Sequence, residues 1–220
     1  MPALGVPVNI GMVKCYPQDF RVIEQLGFTP TGEGDHVYLF VEKRDCNTDW
    51  VANQLAKLAK LKPVDVGYAG KKDRHAVTQQ WFSLHLPNQP EPDWTALPQQ
   101  VTLLSRSRHQ KKLKIGALSS NKFKLIVREL TGSVAELEQR LICLKQQGMP
   151  NYFGGQRFGR DNQNVRRLIE MIGQHRKVKK TQRSMYISAG RSYLFNHILQ
   201  QRVLDNTWNR LIEGDVVMLD

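Results

Sequence analysis

Residues 37–41, between His36 and Lys43, form an apolar run rich in β-branched and aromatic side chains, and this composition predicts a β-strand. Apolar residues then recur at helical spacing between Val51 and Leu61. Residues Asn47 to Trp50 offer capping groups before this helix, and Lys62-Pro63 ends it. Residues 36–61 are therefore predicted to form a strand followed by a helix.

A second cycle follows the first. A short apolar run from Val64 to Ala69 leads into a Gly70 to Asp73 turn, and a strand is predicted near Thr78 to Leu86. The stretch from Pro87 to Pro98 contains four prolines and is predicted to be a loop.

Three more strands are predicted after this loop, at Val101–Ser105, Leu113–Leu118 and Phe123–Leu130. An amphipathic helix over 133–147 comes next, since Ser133 and Glu136 form a capping box at its start. The element order mixes strands that can pair as hairpins with intervening helices, which is typical of the α+β class.

The last third of the chain is predicted to be mainly helical. Met149–Gly159 is rich in glycine and aromatic residues and is expected to be a loop, with helices at Asn162–Gly173 and Ser184–Leu204. A β-like run starts at Gly214 and stops with the sequence at Asp220. An element that is cut off in this way suggests that a C-terminal portion is missing.

Composition narrows the class of protein. The 220 residues are 40% hydrophobic, enough for a real core, and no apolar run approaches the roughly 18 residues of a membrane helix. No secretory signal is visible. Three well-separated cysteines, Cys15, Cys46 and Cys143, suit neither a disulfide framework nor a metal knuckle. We expect a reduced, cytoplasmic protein whose cysteines are buried or half-buried.

Charge points to a polyanionic partner. Lysine and arginine number 32 against 20 acidic residues, a net charge of +12. Ser105–Arg128 contains eight basic residues and no acid, and Arg157–Arg191 contains ten basic residues and two acids. Aromatic residues are interleaved with both stretches, a combination that suits RNA. A basic face that serves only solubility is the alternative.

Common catalytic signatures are missing. Gly67–Lys71 lacks the spacing and the Ser or Thr of a P-loop, and the chain has no GxSxG, HExxH or paired HxE and PCxxC motif. The six histidines show no ligand spacing, so no metal is implied. A DNA-binding regulator would need a helix-turn-helix, and the helix at 162–173 lacks a convincing partner.

One carboxylate remains as candidate chemistry. Asp73 is the only acid between Asp65 and Glu91 and is flanked by Lys71, Lys72 and Arg74. An aspartate in a cationic setting stays ionised and can act as a nucleophile or base. By local pattern alone, an aspartate in a Gly-Lys-Lys-Asp turn is more often an ordinary turn residue.

The segment that contains Asp73, Gly67-Tyr-Ala-Gly-Lys-Lys-Asp-Arg-His-Ala-Val-Thr-Gln-Gln-Trp-Phe-Ser83, closely resembles the signature of the TruD family of tRNA pseudouridine synthases. Further segments agree in the same order and extend the resemblance from about Gly11 to Asp215: Pro17–Glu24, Gly32–His36, Ser120–Phe123, Pro150–Gly159 and Arg191–Asn196.

This resemblance implies an enzyme that isomerises uridine to pseudouridine in tRNA, at position 13 in bacteria, with no cofactor or metal. It implies Asp73 as the nucleophile, Phe20 and Asn121 as uridine contacts, and weaker substrate roles for Phe123 and Lys14. tRNA is the expected partner, with no membrane and no obligatory protein partner. We expect RNA contacts from nine basic residues, namely Lys71, Lys72, Arg74, Arg106, Arg108, Lys111, Lys112, Arg157 and Arg160.

The resemblance also implies a fold and a domain division. The expected fold is the pseudouridine-synthase catalytic fold, a mixed and largely antiparallel sheet flanked by helices, without its C-terminal return and most of an inserted domain. Residues 1–212 would form the catalytic portion, and 213–220 would begin the inserted domain. A catalytically silent RNA-binding module on the same scaffold is the alternative function.

Overall fold

The computed structural model describes residues 3, 5–7, 9–175 and 177–216. The chain forms two compact units. The first, the sheet unit, spans Ile10–Thr131, and the second, the helical unit, contains the chain from Gly132 onward together with the segment before Ile10. The predicted boundary at residue 213 stays a prediction.

The sheet unit contains eight strands and one α-helix. Their bounds are β1 Ile10–Val13, β2 Phe20–Leu26, β3 His36–Arg44, α1 Thr48–Leu58, β4 Val66–Tyr68, β5 Val77–His85, β6 Val101–His109, β7 Leu118–Leu125 and β8 Val127–Thr131.

Six of these strands form one sheet. The order is β6-β3-β5-β2-β7, with β4 paired to β5. Only β2 and β5 run parallel, and every other pair in this sheet is antiparallel. The predicted α+β class and mixed, largely antiparallel sheet are therefore confirmed. β1 and β8 form a separate two-stranded ribbon.

Helix α1 covers one face of the sheet and forms its main core. Val51 and Leu55 of the helix are completely buried, as are Val37 and Leu39 of β3 and Phe82 of β5. Val37 and Leu39 lie on a single face of β3, because successive strand residues point to opposite sides. Burial of this apolar face fixes the register of β3 between β5 and β6.

The strand predicted at Leu113–Leu118 is wrong. Residues 110–117 form turns, and β7 starts only at Leu118. Leu113 is nevertheless buried, and its backbone N–H donates to the Ser83 hydroxyl at 2.9 Å, while Tyr38 donates to the Lys111 carbonyl at 2.9 Å. An apolar residue that packs a turn onto a sheet gives the same sequence pattern as a buried strand.

Gly67 in β4 is required by this close packing. A Cβ atom at residue 67 would collide with the backbone carbonyl of Leu113 and lie 2.6 Å from the Ser83 hydroxyl. A side chain at residue 67 would therefore push the 110–117 segment off the sheet.

The strand predicted at Phe123–Leu130 is divided in two. β7 ends at Leu125 beside β2, and β8 starts at Val127 beside β1. Between them, the Ile126 N–H donates to the Asp19 carbonyl at 2.8 Å. The apolar pattern continues across the break, so it could not show that the chain changes partner there.

The helical unit contains α2 Val134–Gln147, α3 Gln163–Gly173 and α4 Lys180–Leu204. All three were predicted, although α4 starts four residues before the predicted Ser184. In the unit, α3 packs on α4, and a Cβ at Gly190 would collide with Leu168. The predicted β-like run shows no strand at 214–216, and its remainder, 217–220, lies outside the described residues.

Two further expectations concern the described chain as a whole. Each cysteine is half-buried and free of disulfide bonding, as expected. In the described ranges, no helix has the length and apolar character needed to cross a membrane.

Candidate active site

Asp73 lies in the loop between β4 and β5. Its side chain is half-exposed, and one carboxylate oxygen is 3.2 Å from the Lys14 ammonium. Lys14 directly follows β1, and its φ of 59° lies in the left-handed region, which turns the chain out of the strand direction. The structure therefore brings together two predicted site residues that are distant in sequence.

Buried polar side chains hold the start of the Asp73 loop. Gln80 donates to the Gly70 carbonyl at 3.2 Å. The Thr48 hydroxyl accepts from the Lys72 N–H at 3.0 Å and donates to the Gln80 side-chain oxygen at 2.9 Å. Both Thr48 and Gln80 are buried, so the bonds that they make are shielded from competing water.

Lys72 makes a buried ion pair with Glu24 of β2. The Nζ to Oε2 distance is 2.6 Å, and the two side chains are 6% and 0% exposed. The second Glu24 oxygen accepts from the Trp81 N–H at 3.0 Å. This arrangement differs from the predicted RNA contact by Lys72, because the ammonium is used inside the protein to fasten the loop to β2.

Lys43 of β3 supports the loop at Asp73 itself. Its completely buried side chain donates to the backbone carbonyls of Asp73 and Cys46, each at 2.7 Å. Burial lowers the pKa of the Lys43 ammonium, since removal from water disfavours the charged form. Lys43 was not predicted as a site residue, although it lies two residues after the buried Val41 and therefore on the same buried face of β3.

Phe20 and Phe123 form an aromatic pair on the neighbouring strands β2 and β7. Their ring centroids are 5.9 Å apart, with 31° between the ring planes. Phe20 is buried, whereas Phe123 is 54% exposed. The Lys14 ammonium lies 3.8 Å from the centroid of the Phe20 ring. Lys14 thus connects the aromatic pair with the Asp73 carboxylate.

Asn121 lies on β7, two residues before Phe123 and opposite Glu24 of β2. Residues two apart on a strand share a face. The side-chain oxygen of Asn121 is buried and has no hydrogen-bond partner within the described part of the chain. Buried polar atoms are seldom left unpaired, so this oxygen keeps an unused acceptor position.

The segment between Lys14 and Phe20 is fixed by a bidentate ion pair. Arg128 of β8 donates to both oxygens of Asp19 at 2.8 Å, and the Tyr16 N–H donates to the same carboxylate at 3.0 Å. The Arg128 guanidinium holds the pKa of Asp19 below its usual value. This pair joins the ribbon to the start of β2, where the predicted site residues lie.

The other basic residues predicted in the sheet unit have different surroundings. Lys71 is exposed and pairs with Asp49 at 2.7 Å, and Arg106 is exposed and pairs with Glu91 at 3.0 Å. Of the remaining four, Arg74 and Lys111 are exposed. Arg108 and Lys112 are half-buried and donate to backbone carbonyls.

The two basic residues predicted in the helical unit are both exposed. The Arg157 guanidinium lies 5.1 Å from the Phe153 ring centroid and donates to Ser188 at 3.3 Å. Arg160 is 92% exposed and 4.0 Å from Asp161. Within the described ranges, no group of three or more His, Cys, Asp or Glu side chains is arranged to hold a metal ion.

The fold is similar to one that has been solved. A crystal structure assigned to tRNA pseudouridine synthase D from Methanosarcina mazei superposes with a TM-score of 0.71 and 23% identity, over 93% of this chain and 63% of that one. The sheet and helices described above thus have the pseudouridine-synthase catalytic fold.

The sequence comparisons are more specific. The family model for tRNA pseudouridine synthase D (TruD) matches residues 5–174 and 165–220. The chain belongs to the TruD family. The tRNA pseudouridine synthases D of Methylococcus capsulatus and Hydrogenovibrio crunogenus are each 48% identical to it, over 94% and 99% of this chain. The chain spans 59% and 64% of the lengths of these two relatives.

Proposed function

We propose that this chain carries the nucleophile-bearing part of a tRNA pseudouridine synthase, which converts a uridine, at position 13 in the D arm, to pseudouridine. The observation that carries the proposal is the placement of Asp73. Its half-exposed carboxylate lies on a buried polar support, next to Lys14 and the Phe20–Phe123 pair.

Asp73 would act by covalent catalysis. Its carboxylate oxygen bonds either to the ribose C1′ atom, which breaks the bond to uracil N1, or to C6 of the uracil ring, before the same glycosidic bond breaks. In either order the base turns, C5 bonds to C1′ and the bond to Asp73 is broken. The C5 proton leaves to a base or to water, and N1 takes up a proton in its place. The product has the same atoms as the substrate, so the net reaction requires no oxidant or reductant.

The neighbours of Asp73 suit a uridine that has left its stack. The exposed Phe123 ring offers a surface for stacking, and stacking on an aromatic side chain contributes about 1–3 kcal/mol per base. The unpaired amide oxygen of Asn121 can accept from the uracil N3–H. The Lys14 ammonium, 3.2 Å from the Asp73 carboxylate, places a positive charge beside the attacking oxygen.

Exposed basic residues would bind the tRNA backbone. Arg74, Arg106 and Lys111 in the sheet unit, and Arg157 and Arg160 in the helical unit, are available for phosphate contacts. Binding through such contacts releases counterions, so we expect the tRNA affinity to fall steeply as salt increases. Lys72 is not included, because its ammonium is buried against Glu24.

The test is incubation with an unmodified tRNA transcript, with pseudouridine detected as a carbodiimide-dependent primer-extension stop. We expect a stop at position 13 with the parent chain and with Asp205→Asn, an exposed control at the end of α4. Asp73→Asn should produce no stop and should retain tRNA binding.

Two outcomes would contradict the proposal. An equal stop with Asp73→Asn would show that another group is the nucleophile. tRNA binding without a stop, both from the parent chain and from the chain with its C-terminal portion restored, would favour the alternative, an RNA-binding module on the same scaffold.

A further inference from the structure

Lys43 is an unusual buried lysine. Its Nζ atom donates to two backbone carbonyls, those of Asp73 and Cys46, and no side-chain carboxylate of the described residues accepts a hydrogen bond from it. A buried ammonium is costly to desolvate, and a hydrophobic residue would fill the same position on β3 without that cost. Its presence therefore indicates a role beyond packing.

The position of the bonded carbonyl suggests that role. The Asp73 carbonyl belongs to the same residue as the carboxylate beside Lys14, so fixing the carbonyl limits rotation about the backbone bonds that direct the Asp73 side chain. A hydrogen bond from a charged donor is roughly twice as strong as a neutral one. Lys43 can thus restrain the direction of the carboxylate without touching it.

The other loop contacts do not replace this restraint. Gln80, Thr48 and Glu24 hold residues 70 and 72, on the N-terminal side of Asp73. On the other side, Ala76 is completely buried and its N–H donates to the Arg74 carbonyl. Of the described contacts to the backbone of Asp73 itself, the Lys43 bond is the one made by a side chain.

We propose that Lys43 is a positioning residue that holds the main chain of Asp73 so that its carboxylate points towards the bound uridine. This inference rests on the proposed function. Misplacement of a reacting group by about 1 Å can reduce a rate by about 100-fold, so the loss of one backbone restraint is enough to matter.

The test compares Lys43→Met and Lys43→Gln with the parent chain and with Lys57→Met, an exposed lysine on α1. Methionine keeps the length of the side chain and removes its donors, whereas glutamine keeps an amide donor. Amide hydrogen exchange of residues 70–76 is measured without RNA, with α2 as the internal reference. Single-turnover pseudouridine formation and tRNA affinity are measured in parallel.

We expect Lys43→Met to speed exchange at residues 70–76 at least tenfold and to leave α2 unchanged. Its single-turnover rate should fall about 10- to 100-fold with tRNA affinity within twofold of the parent. Lys43→Gln should lie between Lys43→Met and the parent, and Lys57→Met should match the parent.

Loop exchange and a turnover rate equal to the parent's would overturn the inference. Faster exchange in α2 as well as in the loop, in both Lys43 variants, would show a general structural role and would also overturn it. If neither the parent chain nor the chain with its C-terminal portion restored makes pseudouridine, the proposed function fails, and the exchange comparison still decides whether Lys43 holds the loop.

Discussion

The sheet unit and the helical unit bury their side chains very differently. In the sheet unit, Val37, Leu55 and Phe82 belong to a continuous core that is completely shielded from solvent. In the helical unit, neither α2 nor α3, both fully described, contains a buried residue. Helix α4 contains five. Large apolar side chains such as Ile169 and Ile198 remain well exposed there.

The two units therefore suit different roles in the proposed function. The candidate nucleophile lies on the unit with the dense core, where a half-exposed carboxylate can be held by buried neighbours. The helical unit carries exposed arginines. If these bind phosphate as proposed, a rigid surrounding is less important for them, because phosphate contacts tolerate variation in geometry. Stability should therefore be sensitive to mutation in the sheet unit and insensitive in α2 and α3.

Glu24→Gln is expected to have the largest effect. The substitution leaves the buried Lys72 ammonium without its anionic partner, and breaking a buried ion pair from one side costs about 3–5 kcal/mol. Denaturant unfolding should show this decrease in the free energy of unfolding.

The double variant Glu24→Gln with Lys72→Met separates charge from packing. It should recover much of the lost stability, because no unpaired charge remains buried. A double variant as unstable as the sum of the two single variants would show that the ion pair is not what the loop depends on.

A matched pair of truncations compares the two units directly. Leu55→Ala creates a cavity under the sheet and should cost about 2–5 kcal/mol of the free energy of unfolding. Ile169→Ala on α3 removes a side chain that is 66% exposed and should cost less than about 0.5 kcal/mol. Equal costs in thermal or denaturant unfolding would contradict the division drawn above.

The Asp19–Arg128 pair should make stability depend on acid pH. Because Arg128 lowers the pKa of folded Asp19 below its ordinary value of 3.8, the stabilisation is complete above that pH and is lost as pH falls through the folded pKa. Unfolding measured from pH 6 down to acid should therefore show a smaller acid-side slope for Asp19→Asn. The exposed Asp205→Asn should keep the parent slope.

Lys71→Ala should have the smallest effect on stability. Its ion pair with Asp49 is exposed on both sides, and such pairs contribute little after solvent screening. We expect an unchanged melting temperature and a weaker salt dependence of tRNA binding if Lys71 contacts phosphate. A large loss of stability would place Lys71 with Lys72 among the loop supports.

Local sequence patterns predicted most of the regular elements, and their failures have physical causes. The β-rich composition of residues 36–43 predicts β3. Helical spacing of apolar residues and capping residues predict α1 and α2. The pattern near Leu113 failed because a packed turn buries the same residue types as a strand. β1 and β2 were not predicted as strands from the pattern.

The site itself depends on long-range pairing. Phe20 and Phe123 meet because β2 pairs with β7, and Asp73 meets Lys14 because the loop and the ribbon end near each other. No local period contains this information. The local charge pattern suggested Asp73, and only the family resemblance suggested Phe20, Phe123 and Lys14. The same limit explains Lys72, whose charge predicted exposure although Glu24 lies opposite it in the fold.

Gly67 has a consequence for how this sequence can change over time. The first glycine of the motif that contains Asp73 is required by the carbonyl of Leu113, which belongs to a distant turn. An alanine at residue 67 becomes acceptable only if that turn has already moved away. A change at residue 67 therefore requires a change in the turn around Leu113, although neither of these residues touches the side chain of Asp73.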